Sequence, residues 1–429
     1  MRGTASCYDE LRAYCDTVPL VDCHDHSGEC GPKYKDPIEV IIAGYFHSDV
    51  HSALSDAEMG VLEDGERSLE ERWPLLKRAW QRTRHTGYAQ VTRRVLREFY
   101  GEMELTLAAL RRMEDRLLDL TDREAFDAVL GKAGIAARVL DIWPDVKKVL
   151  AGTLELTPRG YLAISLPSYH RIQCYEDVQQ RVAPLARTVT SLDEYLDACR
   201  EIFAGHKAFG AVTFKDQSAY SRSIDYGNPT RSEAEAVFNW LMEDPRRGAA
   251  YPDGVKPLDD YLFHAFMRMA RDLDLPVQIH TGHMAGIRNA IGKTNAAGLT
   301  RVIELHRDVR FDLFHANWPY SGDLLFLGKN YPNVALDFCW ANIIDPVYCQ
   351  ALFKQVLSAV PHGKVHGYGS DFRGSVDRAW AHAAIARDNI AIALSDMVEM
   401  DYLGLDEARV VVRAWLFDNA NDFFRLGLA

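Results

Sequence analysis

The sequence predicts an α/β fold, a (β/α)8 TIM barrel with a helical insertion after the first strand. Three observations predict it. Eight short apolar runs recur along the chain. Between most of them lie amphipathic stretches with helix-start signals, and strands alternating with helices mean a parallel sheet. Several runs also close on a histidine, lysine or aspartate, and in a parallel barrel such positions converge at the carboxyl-terminal mouth, where active sites are built. A doubly wound open sheet is the competing architecture. No Gly-x-Gly-x-x-Gly follows an early run, which argues against its dinucleotide-binding form.

The first run, 19–26, reads Pro-Leu-Val-Asp-Cys-His24-Asp-His26. Alternation along a strand puts both imidazoles on one face, where they can offer two nitrogen ligands to one metal ion. His-x-His alone is a weak motif; it gains weight because candidate partners recur at the ends of later runs. The next runs are 136–142 and 161–167. Run 211–216 carries Lys215 in Ala-Val-Thr-Phe-Lys215-Asp. Run 276–282 carries His280 in Pro-Val-Gln-Ile-His280-Thr-Gly, and 310–316 carries His315 in Arg-Phe-Asp-Leu-Phe-His315-Ala. Run 333–339 contains Asp337, and 364–371 ends on Asp371. Helices between them are marked by capping boxes at Ser191–Glu194 and Ser232–Glu235, and at Thr121–Glu124 before the second run, where Gly131 is placed to end the helix.

The chain has 429 residues, more than the roughly 250 of an ordinary barrel. The excess lies between the first two runs, in residues 27–131, which read as helices over Ser68–Arg82, Tyr88–Tyr100 and Leu105–Leu120. This segment leaves the barrel directly after His26, so it is expected to form a lid or pocket wall within one domain spanning 1–429.

Hydrophobic content of 48% and charged content of 26% suit a soluble globular enzyme. A net charge of −12 disfavours nucleic acid or an anionic membrane as the main partner. The eight cysteines show no Cys-x-x-Cys spacing. No secretory signal or membrane-spanning run is evident, so the expected location is the cytoplasm, with reduced thiols. Cys23 has the opposite strand parity to His24 and His26 and reads as packing. The expected partner is a small-molecule substrate; a homo-oligomer is left open.

Imidazole and carboxylate ligands suit a borderline divalent ion, with zinc expected and manganese or iron as alternatives. His24, His26, His280 and Asp371 would hold one ion and leave a position for water, as a catalytic metal requires. Asp371 can also accept the proton of that water. His315 can ligate a second ion or polarise a substrate carbonyl. Lys215 can bridge two ions if carbamylated, bind a substrate carboxylate as a free amine, or cap a helix; its Lys-Asp-Gln-Ser-Ala-Tyr context resembles that of single-ion enzymes, which implies one ion and a free amine. His47, flanking Asp49 with His51, is a candidate substrate contact, and His283 is similar. His206, His264, His306 and His382 sit in helical patterns and read as structural or exposed. Asp337 is placed to support a ligand histidine.

This set of residues resembles the amidohydrolase superfamily: His-x-His on the first strand, histidines on the fifth and sixth, and an aspartate on the eighth. The detail is similar to the amidohydrolase-2 branch, in Phe-Lys215-Asp-Gln-Ser-Ala-Tyr220-Ser-Arg222, in Val-Gln-Ile-His280-Thr-Gly, in Phe-Asp-Leu-Phe-His315-Ala-Asn-Trp-Pro and in Gly-Ser-Asp371. The insertion after the first strand is also similar to that of uronate isomerases. The resemblance implies a metal-dependent enzyme whose members hydrolyse amides and esters, decarboxylate, hydrate or isomerise uronic acids. The favoured expectation is a hydrolase of an amide, ester or lactone in a small anionic substrate, with Lys215, Tyr220, Arg222, His47 and Arg373 binding it. The alternative is an isomerase or decarboxylase using the same site. A binding protein with a structural metal is disfavoured, since such zinc sites are usually closed and cysteine-rich.

Overall fold

A computed structural model describes residues 6–429. At its centre lies one sheet of eight parallel strands in chain order. They are β1 (Leu20–Asp25), β2 (Ile135–Leu140), β3 (Gly160–Ser165), β4 (Thr213–Asp216), β5 (Val277–Ile279), β6 (Phe311–Leu313), β7 (Val334–Asp337) and β8 (Val365–His366). From β3 to β6 neighbouring strands pair in regular register, Ile164 opposite Phe214 and Ile279 opposite Leu313, while the β1–β2 register shifts between Leu20 and Val21 and between Asp22 and Asp25. Val139, Ile164, Phe214, Val277, Phe311, Leu336 and Val365 are all buried, as expected of parallel strands covered on both faces.

Each predicted run overlaps one strand. The largest difference is at 364–371, where the regular ladder stops at His366. The Gly367 N–H turns away to the carbonyl of Trp415, 2.7 Å off. The chain beyond it instead closes the barrel against β1. Cys23 N–H donates to Tyr368 O (3.2 Å), Asp371 N–H to His24 O (2.8 Å) and His26 N–H to Phe372 O (3.0 Å). The seam therefore runs through the predicted ligands themselves.

Outer helices follow the strands, with some starts displaced from expectation. Helix Leu192–Phe209 opens on the predicted Ser191–Glu194 capping box. Helix Arg231–Glu243 opens on Thr230 and Glu233 rather than on Ser232 and Glu235. Pro229 is followed by extended backbone at Thr230, so Ser232 already lies in the first turn. Ahead of β2, Asp122 rather than Thr121 caps helix Arg123–Ala133, accepting from Glu124 and Ala125 N–H. Gly134, not Gly131, ends it in the left-handed conformation (φ 70°), which costs glycine least.

Between β1 and β2 the chain forms helices Pro37–Ile42, Phe46–Ala53, Asp56–Glu63, Leu69–Thr83, Gly87–Val95 and Leu107–Met113. The first predicted helix there matches Leu69–Thr83, opened by Ser68 and Glu71. The second continues past Val95 as a π-helical turn, Leu96–Tyr100, and stops at left-handed Gly101. The third is shorter than Leu105–Leu120, because after Arg116 the chain extends and Asp119 bridges back to Lys33. This segment packs on the helix that follows β8, Val376–Glu399. Tyr34 Oη donates to Asp377 at 2.9 Å, and Arg378 donates to the Val40 carbonyl. Among the described residues, no helix is long and apolar enough to cross a membrane, and all eight cysteines are free.

Candidate active site

The strand ends surround a cavity of about 760 Å³. Its lining includes His24, His26, Asp141, Lys215, His280 and Asp371 from the barrel, and Tyr45 and His47 from the insertion. His24 and His26 present Nε2 atoms 3.2 Å apart. Asp371 Oδ1 lies 3.5 Å from the first and 3.1 Å from the second. Three donor atoms thus form a triangle with edges near those of ligands held about 2.0–2.2 Å from one ion, which sit roughly 3.3–3.6 Å apart. His26 directs Nδ1 to the Asp141 carbonyl at 2.7 Å; burial would lower its pKa, but the hydrogen bond and charge of Asp371 raise it to about 9, so an ion at Nε2 would displace a proton.

His280 and His315 also meet, with Nδ1 and Nε2 3.1 Å apart. Asp371, His315 and Cys339 also offer donor atoms within 4.8 Å of one another, so Asp371 stands between the two histidine pairs. Burial, aided by the Lys215 charge and the neighbouring rings, holds His24, His280 and His315 well below the ordinary histidine range. They are neutral and able to ligate. Burial would raise Asp371, but its hydrogen bond and charge contact with His26 outweigh this and hold it below its usual value. The donor set fits a divalent ion, and neutral imidazoles with an ionised carboxylate are what such an ion takes up.

Two of these residues are held in unfavourable backbone. His315 (φ 59°) and Asp371 (φ 58°) are in the left-handed region, which costs a non-glycine residue on the order of 1–3 kcal/mol. Gly282 (φ 70°) supports the first of them. A Cβ there would meet Asn317 and Trp318 backbone atoms at 2.6 Å, so only glycine lets the loop after β5 lie against the loop after β6.

Lys215 is fully buried, its ammonium makes no hydrogen bond, and it lies 3.8 Å over the Phe314 ring. Burial lowers its pKa, while Asp141 and Asp371 pull the other way. Tyr220, His47 and Arg373 line the cavity. The Tyr220 hydroxyl accepts from Ala285 N–H at 3.1 Å, and His47 Nε2 is bonded to Glu63.

Arg222 is a correction. It does not reach the cavity: it is 2% exposed, pairs with Asp259 and Asp260, and stacks on Tyr226. Its two acids come from helix Lys256–Asp272, and they already satisfy the charge that the sequence offered to substrate. Asp337 does not touch a ligand histidine. It accepts from Cys339 N–H at 2.7 Å, and the Cys339 carbonyl in turn holds His315 Nδ1 at 3.0 Å. His283 contributes its carbonyl to His280 Nε2 at 2.8 Å and packs its ring on Trp340.

Two further residues of the site escape the sequence pattern. Asp141 is buried with neither carboxylate oxygen hydrogen-bonded, and its Oδ2 is 4.0 Å from His24 Nε2. It directly follows β2, the same strand-end position that marked the others. Trp143 stands at the rim, 66% exposed, its ring nearly parallel to that of His26 with centroids 6.5 Å apart.

Residues 242–426 match the family model described as amidohydrolase, a span holding His280, His315 and Asp371. This bears out the resemblance read from the sequence, and the family implies a divalent metal. Across 97% of its length the chain is 24% identical to Protein fluG of Emericella nidulans, of which it spans 47%, about half. Among solved structures it resembles a uronate isomerase from Thermotoga maritima, with TM-score 0.76, 14% identity and 97% of each chain covered. Glucuronate isomerase from Caulobacter crescentus gives TM-score 0.73 at 15% identity, covering 99% of this chain and 94% of that one. A protein from Lactobacillus casei described as a metal-dependent hydrolase gives 0.67 at 16%, covering 97% and 98%. At these identities the structures support the barrel fold alone.

Proposed function

We propose that the protein is a metal-dependent hydrolase that cleaves an amide, ester or lactone bond in a small anionic substrate. The carrying observation is the triangle of His24 Nε2, His26 Nε2 and Asp371 Oδ1, with edges of 3.1–3.5 Å, on the cavity wall. His24, His26, His280 and Asp371 would hold one divalent ion, zinc being the expected one. When bound, it supplies Lewis-acid activation of water and of a substrate carbonyl.

The chain's own groups do the rest. Asp371, ionised and facing the cavity, takes the proton from the attacking water and returns it to the leaving group. His315 places its Nδ1 proton on the Cys339 carbonyl, so its Nε2 acts as a further ligand rather than as a donor to substrate. Lys215, Arg373, Tyr220 and His47 receive the substrate's carboxylate. Lys215 is suited to this because its ammonium has no other partner. The insertion, through Tyr45 and His47, closes one wall and limits bulk water.

A second reading, an aldose–ketose isomerase or a decarboxylase, is favoured by the several titratable groups that line one cavity, Tyr220 and His280 together with Asp371. Moving a proton between adjacent carbons needs such an arrangement. A panel of N-acyl amino acids, esters and lactones set beside uronic acids, run on the metal-loaded protein, separates the two. Turnover of an amide, ester or lactone supports the hydrolase. Turnover of uronates alone, with solvent deuterium appearing at carbon, overturns it.

A further inference from the structure

Below the candidate active site, nearer the amino-terminal ends of the strands, lies a second cluster of metal-binding side chains. Cys23, Asp337 and His366 are each at most 1% exposed, and each offers a ligand atom within 4.8 Å of the other two. Asp312 stands beside them, its Oδ1 3.0 Å from His366 Nδ1. Asp337 Oδ2 lies 3.9 Å from the same nitrogen. The four residues come from four different strands, β1, β6, β7 and β8, and side chains from β1 and β6 can meet only inside the barrel.

Three features point to a ligand rather than to a finished hydrogen-bond network. Asp337 Oδ2 is completely buried and accepts no hydrogen bond. The neighbouring Gln278 donates to Asp312 Oδ2 (3.2 Å) and to the Cys23 carbonyl (2.9 Å), so its amide already holds two of the residues in place, while its own Oε1 is unpartnered. Among the described residues, neither Asp312 nor Asp337 has a lysine or arginine within 4.0 Å, and the ionic contacts of both are with His366. Two carboxylates brought this close in a dry interior cost several kcal/mol unless a cation or protons accompany them.

We propose that Cys23, Asp312, Asp337 and His366 form a second, enclosed site for a divalent ion of zinc type, distinct from the ion at the mouth. One sulfur, one nitrogen and two oxygens make a four-ligand set with no open position; it shares closure with structural zinc sites, though it is poorer in cysteine than they usually are. Drawing the Cys23, Asp337 and His366 donors, now within 4.8 Å of one another, to ligand spacings of roughly 3.3–3.7 Å requires pairs to close by at most about 1.5 Å. The site would tie β1 to the last three strands directly beneath the seam. Because Cys23 adjoins His24, it would also fix the strand that presents the first two ligands of the mouth.

Cobalt(II) tests the proposal on the full chain, since a thiolate bound to cobalt gives a charge-transfer band in the near ultraviolet and an all-nitrogen and oxygen site does not. The wild-type protein grown with cobalt should show that band, and His24→Ala and Cys339→Ala should keep it. Cys23→Ser should lose it, and elemental analysis of zinc-grown Cys23→Ser and Asp337→Asn should find one ion fewer per chain than wild type. Absence of the band from cobalt-loaded wild type overturns the site, and this outcome does not depend on any variant folding. So does a band that persists in Cys23→Ser or disappears only in Cys339→Ala.

Discussion

His280 Nδ1 and His315 Nε2 face each other at 3.1 Å, and each ring has its other nitrogen on a backbone carbonyl, of His283 and Cys339 respectively. The protons sit on those outer nitrogens, so two lone pairs meet. Nothing stabilises that arrangement except a cation or a proton between or beside them.

The ion at the mouth should therefore depend on both histidine pairs. His24→Ala, His280→Ala and His315→Ala should each reduce bound metal while far-ultraviolet circular dichroism stays unchanged, with activity falling at least about 100-fold. Elemental analysis against wild type reads the outcome. Full metal retention in both His24→Ala and His280→Ala would rule out this ligand set.

Lys215 should act on substrate rather than on metal. Losing one charge-assisted hydrogen bond costs about 2 kcal/mol, so Lys215→Met should raise KM roughly 30-fold with metal content unaltered. A carbamate on Nζ in the native mass spectrum, or loss of an ion that bicarbonate with a short-chain acid restores, would show it bridging two ions instead.

Gly282→Ala should damage the site from outside the ligand set. The left-handed backbone alone costs an alanine about 1–2 kcal/mol, and its Cβ would strike Asn317 and Trp318 backbone at 2.6 Å. Urea unfolding should show the loss of stability, and metal affinity should fall with it. An unchanged midpoint and affinity would mean that the two loops move independently.

His170 should make stability pH-dependent. Burial disfavours its charged form, but Asp259 and Asp216 outweigh that and raise it to about 9. The folded value exceeds the unfolded one of about 6.5, so this contribution is complete below about 6.5 and is lost as the pH rises through about 9. It amounts to something on the order of 3 kcal/mol. Thermal midpoints should fall across that window, and His170→Asn should flatten the fall. Equal slopes in the two proteins would refute it.

The strands and most ligands were legible because each is local: an apolar run that stops on one polar residue. Asp141 obeys the same rule but is followed by Ile142 and Trp143, so the run reads on past it. Arg222 was misread because Asp259 and Asp260, which neutralise it, arrive only with a helix far along the chain. The displaced caps at Thr230, Asp122 and Gly134 lie within three residues of the predicted ones. Sequence pattern establishes that a helix starts there, while backbone geometry picks which hydroxyl, carboxylate or glycine serves. The buried cluster around Asp337 gave no signal beyond single polar residues inside apolar runs, since its members meet only when the sheet closes on itself.

The seam has a consequence for how the protein comes into being. Asp371 N–H donates to His24 O, and His26 N–H to Phe372 O, so the hydrogen bonds that complete the cylinder also join the earliest and latest ligands along the chain. A nascent polypeptide that has emitted its first strand holds two unpartnered imidazoles until the eighth has folded. Competence to capture an ion is therefore a report of completed folding: a chain stalled or cut before its last strand has no half-working site, only histidines waiting for their carboxylate.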